Sequence, residues 1–245
     1  MDINAIYLMK QELEKRGVIN PNDVSVVSMR EKGKKFSFED HLKALIYAML
    51  TNQRKWSDVV PKLPQIDELF FNYDISKILA LDGDYFERGI RQLHCGNISI
   101  KKQMKNLNKN ICTLISIEDE YGSLDNYVTS KDSDSIVKDI AAGKYKLYGV
   151  GPALAREYLR NVGIDDAKPD LHLKRFMGCE RIGVSKNREA SDAEVLKEIR
   201  QISEITGLTK FDIDYIIWCY CAEGFGEICG ATPKCRECVI RKYCR

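Results

Sequence analysis

The chain has 245 residues, 44% hydrophobic and 30% charged, and its 38 Lys+Arg nearly balance 36 Asp+Glu for a net charge of +2. This is the composition of a soluble globular protein with room for one large domain or two small ones. No apolar run approaches the ~20 residues of a membrane span, and the near-neutral charge argues against a sequence-blind nucleic-acid coat.

In chain order, the first segment (MDINAIYLMKQELEKRG) has early acids and an amphipathic rhythm. It reads as a helix and not as a signal peptide, so the expected location is cytoplasmic, on the nucleoid in a prokaryote. Ser37-Phe38-Glu39-Asp40 has the form of a capping box, and Leu42, Leu45, Ile46, Met49 and Leu50 follow at helical spacing. That helix is expected to end near Thr51-Asn52-Gln53. Further helical stripes run through 100–117 and 133–142. Ser191–Glu194 is a second capping box, with Val195, Ile199 and Ile202 on its helix. Thr209–Asp212 opens a last helix bearing Ile216, Ile217 and Trp218. Alternating strand patterns are absent, so the expected fold class is all-α. Arg30–Lys35, Lys101–Lys109 and Lys234–Arg245 are basic blocks. Such runs usually mark solvated faces; they become a phosphate footprint only if folding sets them beside an anion site.

Two motifs carry chemistry. Gly149-Val150-Gly151 forms a glycine hairpin running straight into a helix whose first residue is Pro152. Pro suits that first position, where its missing N–H costs nothing, and bare backbone N–H groups at a helix start bind anions such as a DNA phosphate. Ala155, Tyr158 and Leu159 are expected to pack this helix, and the stripe at 133–142 completes a helix-hairpin-helix. About twenty residues on, Pro169-Asp170-Leu171-His172 presents a lone carboxylate that could equally cap the next helix.

The tail holds Cys229, Cys235, Cys238 and Cys244 in the spacing C-x5-C-x2-C-x5-C. Four thiols in so short a loop have metal-ligand spacing. A structural zinc usually pairs two short knuckles, and only Cys235–Cys238 is one, which weighs against zinc. The odd total of nine cysteines fits a reducing compartment. Cys95, Cys112, Cys179, Cys219 and Cys221 read as core or incidental thiols.

Together LYGVGPALA and KPDLHLKR resemble the two halves of the helix-hairpin-helix (HhH-GPD) DNA glycosylases, the superfamily of endonuclease III and adenine glycosylase. The family pattern is LPGVGxxTA followed by a VDTH-like segment. The cysteine loop is similar to that family's C-x6-C-x2-C-x5-C loop, one residue shorter in its first gap. Leu50-Thr51-Asn52-Gln53 resembles the family's LSxQ, whose Gln fills the gap left by a flipped nucleotide. The resemblance covers about residues 36–245, with its specific motifs in the last hundred.

It implies two helical lobes with DNA in the cleft between them: 36–162, a six-helix barrel ending in the hairpin, and 1–35 with 163–245, carrying the cluster loop. It implies a monomeric base excision repair glycosylase that binds double-stranded DNA containing a damaged or mismatched base and has no membrane partner. Asp170 would be catalytic, Gln53, Gly149, Val150 and Gly151 would contact DNA, and the four loop cysteines would hold a 4Fe–4S cluster. The departure is Ala153, where family members with lyase activity carry Lys. The resemblance therefore implies a monofunctional enzyme using water. A non-catalytic DNA-binding protein, and a bifunctional enzyme using Lys144, Lys146 or Lys174, are the alternatives.

Overall fold

A computed structural model describes residues 1–52 and 54–245; Gln53, the candidate gap-filling residue, lies outside the described residues. Among the described residues there are helices and no strands. The helices are α1 (Ile3–Lys15), α2 (Val26–Glu31), α3 (Phe38–Leu50), α4 (Trp56–Val59), α5 (Leu63–Leu69), α6 (Ile75–Leu79), α7 (Gly83–Gln92), α8 (Ile100–Lys105), α9 (Leu107–Tyr121), α10 (Leu124–Thr129), α11 (Ser133–Ala141), α12 (Pro152–Asn161), α13 (Leu171–Phe176), α14 (Asp192–Thr206) and α15 (Lys210–Cys221). The chain divides into two compact units, Val26–Ile164 and Met1–Ser25 with Asp165–Arg245.

The unit Val26–Ile164 is built around α3. Ser37 and Asp40 close the capping box at its start. The sequence pattern suggested one buried face. Phe38, His41, Ala44 and Ala48 are buried as well, which leaves little more than the Glu39–Lys43–Tyr47 line to reach solvent. A helix apolar nearly all round is a central one, and each fully buried Leu or Ile contributes roughly 1.5–3 kcal/mol. Helix α12 lies along α3 with Ala155, Tyr158 and Leu159 buried.

The stripe read at 100–117 is two helices. The chain leaves helical geometry at Asn106 (φ −102°, ψ 6°), whose side chain bonds back to the Lys102 carbonyl at 2.8 Å. A local side-chain bond of this kind competes with helix continuation and breaks a run that apolar spacing alone would carry through.

Helix α2 is fixed by charge. Arg30 pairs with Asp125 and donates from Nε to the Val162 carbonyl at 2.8 Å. Beside them, buried His41 shares a 2.7 Å hydrogen bond with Tyr158. Gly163 (φ +76°) lets α2 come close: a Cβ there would sit 2.6 Å from the Val26 carbonyl oxygen.

The other unit pairs α1 with α15. Ala5, Ile6, Met9 and Leu13 share its core with Ile213, Ile216, Ile217 and Tyr220, and α13 and α14 complete it. Ser191 and Glu194 form the capping box of α14, and Thr209 caps α15.

Candidate nucleic-acid interface and active site

The hairpin lies between α11 and α12. Gly149 adopts φ +79°, which favours glycine, whereas Gly151 sits at φ −96°, ψ −180°, extended backbone that any residue adopts. Of the two glycines only Gly149 has a positive φ. Gly151 matters for its open surroundings: it is exposed, and a Cβ there would meet nothing within 4 Å. It is also the N-cap of α12 with no side chain to supply a cap bond, and Pro152 follows at the first helical position. The first turn of α12 is therefore left open to an outside acceptor. Val150 is buried and turns the chain by donating to the Leu147 carbonyl at 3.2 Å. Its contribution is packing and backbone shape.

The block Lys101–Lys109 does fold beside this hairpin. Gln103 donates to the Gly149 carbonyl at 3.4 Å, and Lys109 holds its ammonium 3.8 Å from the centre of the Tyr148 ring. That hydrogen-bonding ammonium lowers the Tyr148 pKa. Lys101, Lys102 and Lys105 are exposed on the same stretch. The block Arg30–Lys35 is partly spent inside the fold, Arg30 on Asp125 and Lys34 over the Phe36 ring at 4.7 Å.

Sequence reasoning missed Ile98. It is 84% exposed at the tip of a loop whose base is pinned by Asn97, which donates to the Met49 carbonyl at 2.8 Å. A bare isoleucine on a rigid loop is a candidate wedge for a base stack. Its signal was faint: one apolar residue inside the polar run Gly96-Asn97-Ile98-Ser99.

In the other unit Asp170 is the N-cap of α13. Its Oδ1 accepts from His172 N at 2.8 Å and Leu173 N at 3.1 Å. Both cap bonds fall on one oxygen, and Oδ2 has no partner among the described residues, so it is open to a substrate or water. His172 meets Trp218 edge-on at 6.2 Å, which places its ring in packing.

Ala153 lies in the first turn of α12 and has no amine. The three nearby lysines are engaged elsewhere: Lys144 on Glu120, Lys146 on the Ala141 carbonyl at 2.7 Å, and Lys174 on Asp192 at 2.6 Å.

The cysteine loop follows α15. Arg181 grips its start, donating to the Cys229 carbonyl at 2.6 Å, the Cys229 sulfur at 3.4 Å and the Gly230 carbonyl at 2.7 Å. Tyr220 donates to the Cys238 sulfur at 3.4 Å. The Cys229 thiol falls to about 7 through a hydrogen bond with Cys221, aided by Arg181 against its burial. Burial lifts Cys244 to about 11, and the charges of Cys238, Cys229 and Cys235 add to the rise. Two of the four sulfurs thus receive donors. The chemistry of this donor set suits a thiolate-bound metal centre. Among the described residues, no three His, Cys, Asp or Glu side chains are drawn close enough to form an assembled metal site.

No family model matches the sequence, and no curated protein sequence matches it. Solved structures do match. A trapped endonuclease III–DNA covalent intermediate aligns over 100% of this chain and 96% of its own, at 18% identity and a TM-score of 0.61. The Methanocaldococcus jannaschii 8-oxoguanine glycosylase/lyase, in complex with DNA containing 8-oxoguanine, aligns over 89% and 95% at 20% identity and a TM-score of 0.58. The Thermotoga maritima 8-oxoguanine DNA glycosylase aligns over 89% of both chains, at 18% identity and 0.55. The class is thereby defined at the level of architecture: this chain has the all-α fold of the helix-hairpin-helix DNA glycosylases.

Proposed function

We propose that the protein is a DNA glycosylase of base excision repair that hydrolyses the N-glycosidic bond of a damaged or mismatched base and does not cut the strand. The observation that carries this reading is the state of two helix starts on a glycosylase fold. Helix α12 opens with an uncapped, exposed glycine, and α13 is capped by a carboxylate with one oxygen unspent.

The uncapped start of α12 and the hairpin N–H groups would take a phosphate, a sequence-independent anchor. The lysines of 101–109 would add charge to the same footprint, and Ile98 would enter the stack as the target nucleotide leaves it. Breaking the glycosidic bond builds positive charge on the sugar. Asp170 would stabilise that charge through Oδ2 and orient the attacking water. With alanine at 153 and the neighbouring lysines engaged, no amine stands at the motif position to attack C1′. Cys229, Cys235, Cys238 and Cys244 would hold a 4Fe–4S cluster, with zinc as the alternative. Its contribution would be to tie the tail into the fold.

The test is a panel of duplexes, each with one lesion, scored for abasic sites by alkali after the reaction. Base release with an uncut strand and no borohydride-trapped adduct is the expected result. Tight duplex binding without base release from any lesion would favour the non-catalytic reading that Ala153 leaves open. Efficient trapping would make the enzyme bifunctional. Metal analysis of the purified protein should give four irons, and one zinc with no iron would replace the cluster in this account.

A further inference from the structure

Three side-chain amides are buried beneath the hairpin: Asn97 is 5% exposed, and Gln103 and Asn110 are fully buried. Buried amides need partners, and these spend themselves on backbone. Asn110 accepts from Tyr148 N at 2.7 Å and donates to the Tyr148 carbonyl at 3.0 Å, so one side chain does the work of a neighbouring strand. Gln103 donates to the Gly149 carbonyl at 3.4 Å, and its Cγ lies where a Cβ at position 149 would be only 3.0 Å away. Asn97 donates to Gln103 Oε1 at 3.4 Å and to the Met49 carbonyl at 2.8 Å, linking the amides to the end of α3.

The direction of these bonds has a consequence for the free donors. In a trans peptide the C=O and the following N–H point to opposite sides. The Tyr148 carbonyl is drawn inward to α9, so the Gly149 N–H is turned outward. That N–H donates to no group among the described residues.

We propose that Asn110, seconded by Gln103, is the positioning residue of the hairpin's anion site: it fixes the Tyr148–Gly149 peptide so that the Gly149 N–H is aimed at a DNA phosphate oxygen. This rests on the glycosylase reading for its ligand. The hairpin binds phosphate because a buried amide has turned its peptide, and the glycines supply the room.

The test uses the full-length protein with Asn110→Asp and Gln103→Met. At pH 8 the carboxylate of Asn110→Asp accepts from Tyr148 N but repels the Tyr148 carbonyl. Affinity for an undamaged duplex should fall about tenfold, and by the same factor for an abasic-analogue duplex. The slope of log Kd against log salt should stay unchanged for Gln103→Met, which alters no charge, because a neutral N–H releases no counterion. Single-turnover base release at saturating protein should stay within about threefold of wild type. Lowering the pH towards 5 should restore the affinity ratio to wild type, since a protonated carboxyl again both donates and accepts. Gln103→Met keeps the buried volume and should weaken binding about threefold; it carries the test if the buried carboxylate prevents folding. Affinities within twofold of wild type for both variants, or a loss confined to lesion-bearing duplexes, would overturn the inference alone. A wild-type protein that binds no duplex would overturn the functional reading and this inference with it.

Discussion

Two helix starts in this molecule solve one problem in opposite ways. Helix α13 begins at Asp170, whose carboxylate accepts from two of its first N–H groups. Helix α12 begins at Gly151, which offers its helix no side chain. Every helix start carries orphan donors and a partial positive charge. In α13 the protein supplies the anion itself, and in α12 it leaves the place vacant. Beneath that place, Gln103 and Asn110 hold the preceding backbone still.

The largest expected effect comes from separating the cap that Asp170 supplies from its proposed catalytic role. Asp170→Asn keeps an oxygen for the cap, so the melting temperature should barely move. Base release should fall about 100- to 1000-fold, roughly 3–4 kcal/mol of barrier. Unchanged excision by the variant would remove Asp170 from the chemistry and leave it a cap alone.

Close in size is a pH effect in the unit that bears the hairpin. Burial pushes His41 down to about 4, with the nearby Arg30 charge adding to it and Asp125 and Asp40 opposing. An unfolded His41 titrates near its ordinary 6.5, so between these values the unfolded state binds the extra proton. The folded state therefore keeps its full advantage above about 6.5 and loses it as the pH falls towards 4, by about 3 kcal/mol in all. Urea midpoints taken from pH 7.5 to 4.5 should show this slope, and His41→Gln should flatten it. A wild-type profile as flat as the variant's would place the proton elsewhere.

Converting α12 into a copy of α13 sharpens the comparison. Gly151→Asp meets no neighbour and suits the extended N-cap geometry already present. Stability should hold or rise by a few tenths of a kcal/mol, while duplex affinity falls about tenfold or more as a fixed carboxylate takes the phosphate's place. If affinity survives, the phosphate does not bind at this helix start. The smallest effect is the cap at 170 taken alone: Asp170→Ala should be about 1 kcal/mol less stable than Asp170→Asn by chemical denaturation.

How much of this was legible in the sequence follows the range of each interaction. Ser37 with Asp40, Ser191 with Glu194, and Asp170 with His172 and Leu173 act across two or three residues, and the chain spells them out. So does the all-α class, because apolar spacing along a helix is local. The glycines, Asp170 and the cysteines could be named on sight as a constellation. Their settings could not. Asn110 reaches Tyr148 across 38 residues, Gln103 reaches Gly149 across 46, and Arg181 reaches Cys229 across 48. Nothing in a buried amide's neighbours in sequence announces its partner. The Lys101–Lys109 run could be read only as a solvated face until folding set it against Tyr148. The sequence by itself determined which groups could bind an anion and which could do chemistry, since residue type and short spacing settle that. Only the tertiary structure decided which way the Tyr148–Gly149 peptide faces, because that depends on hydrogen bonds to Asn110 that exist only once the chain has packed.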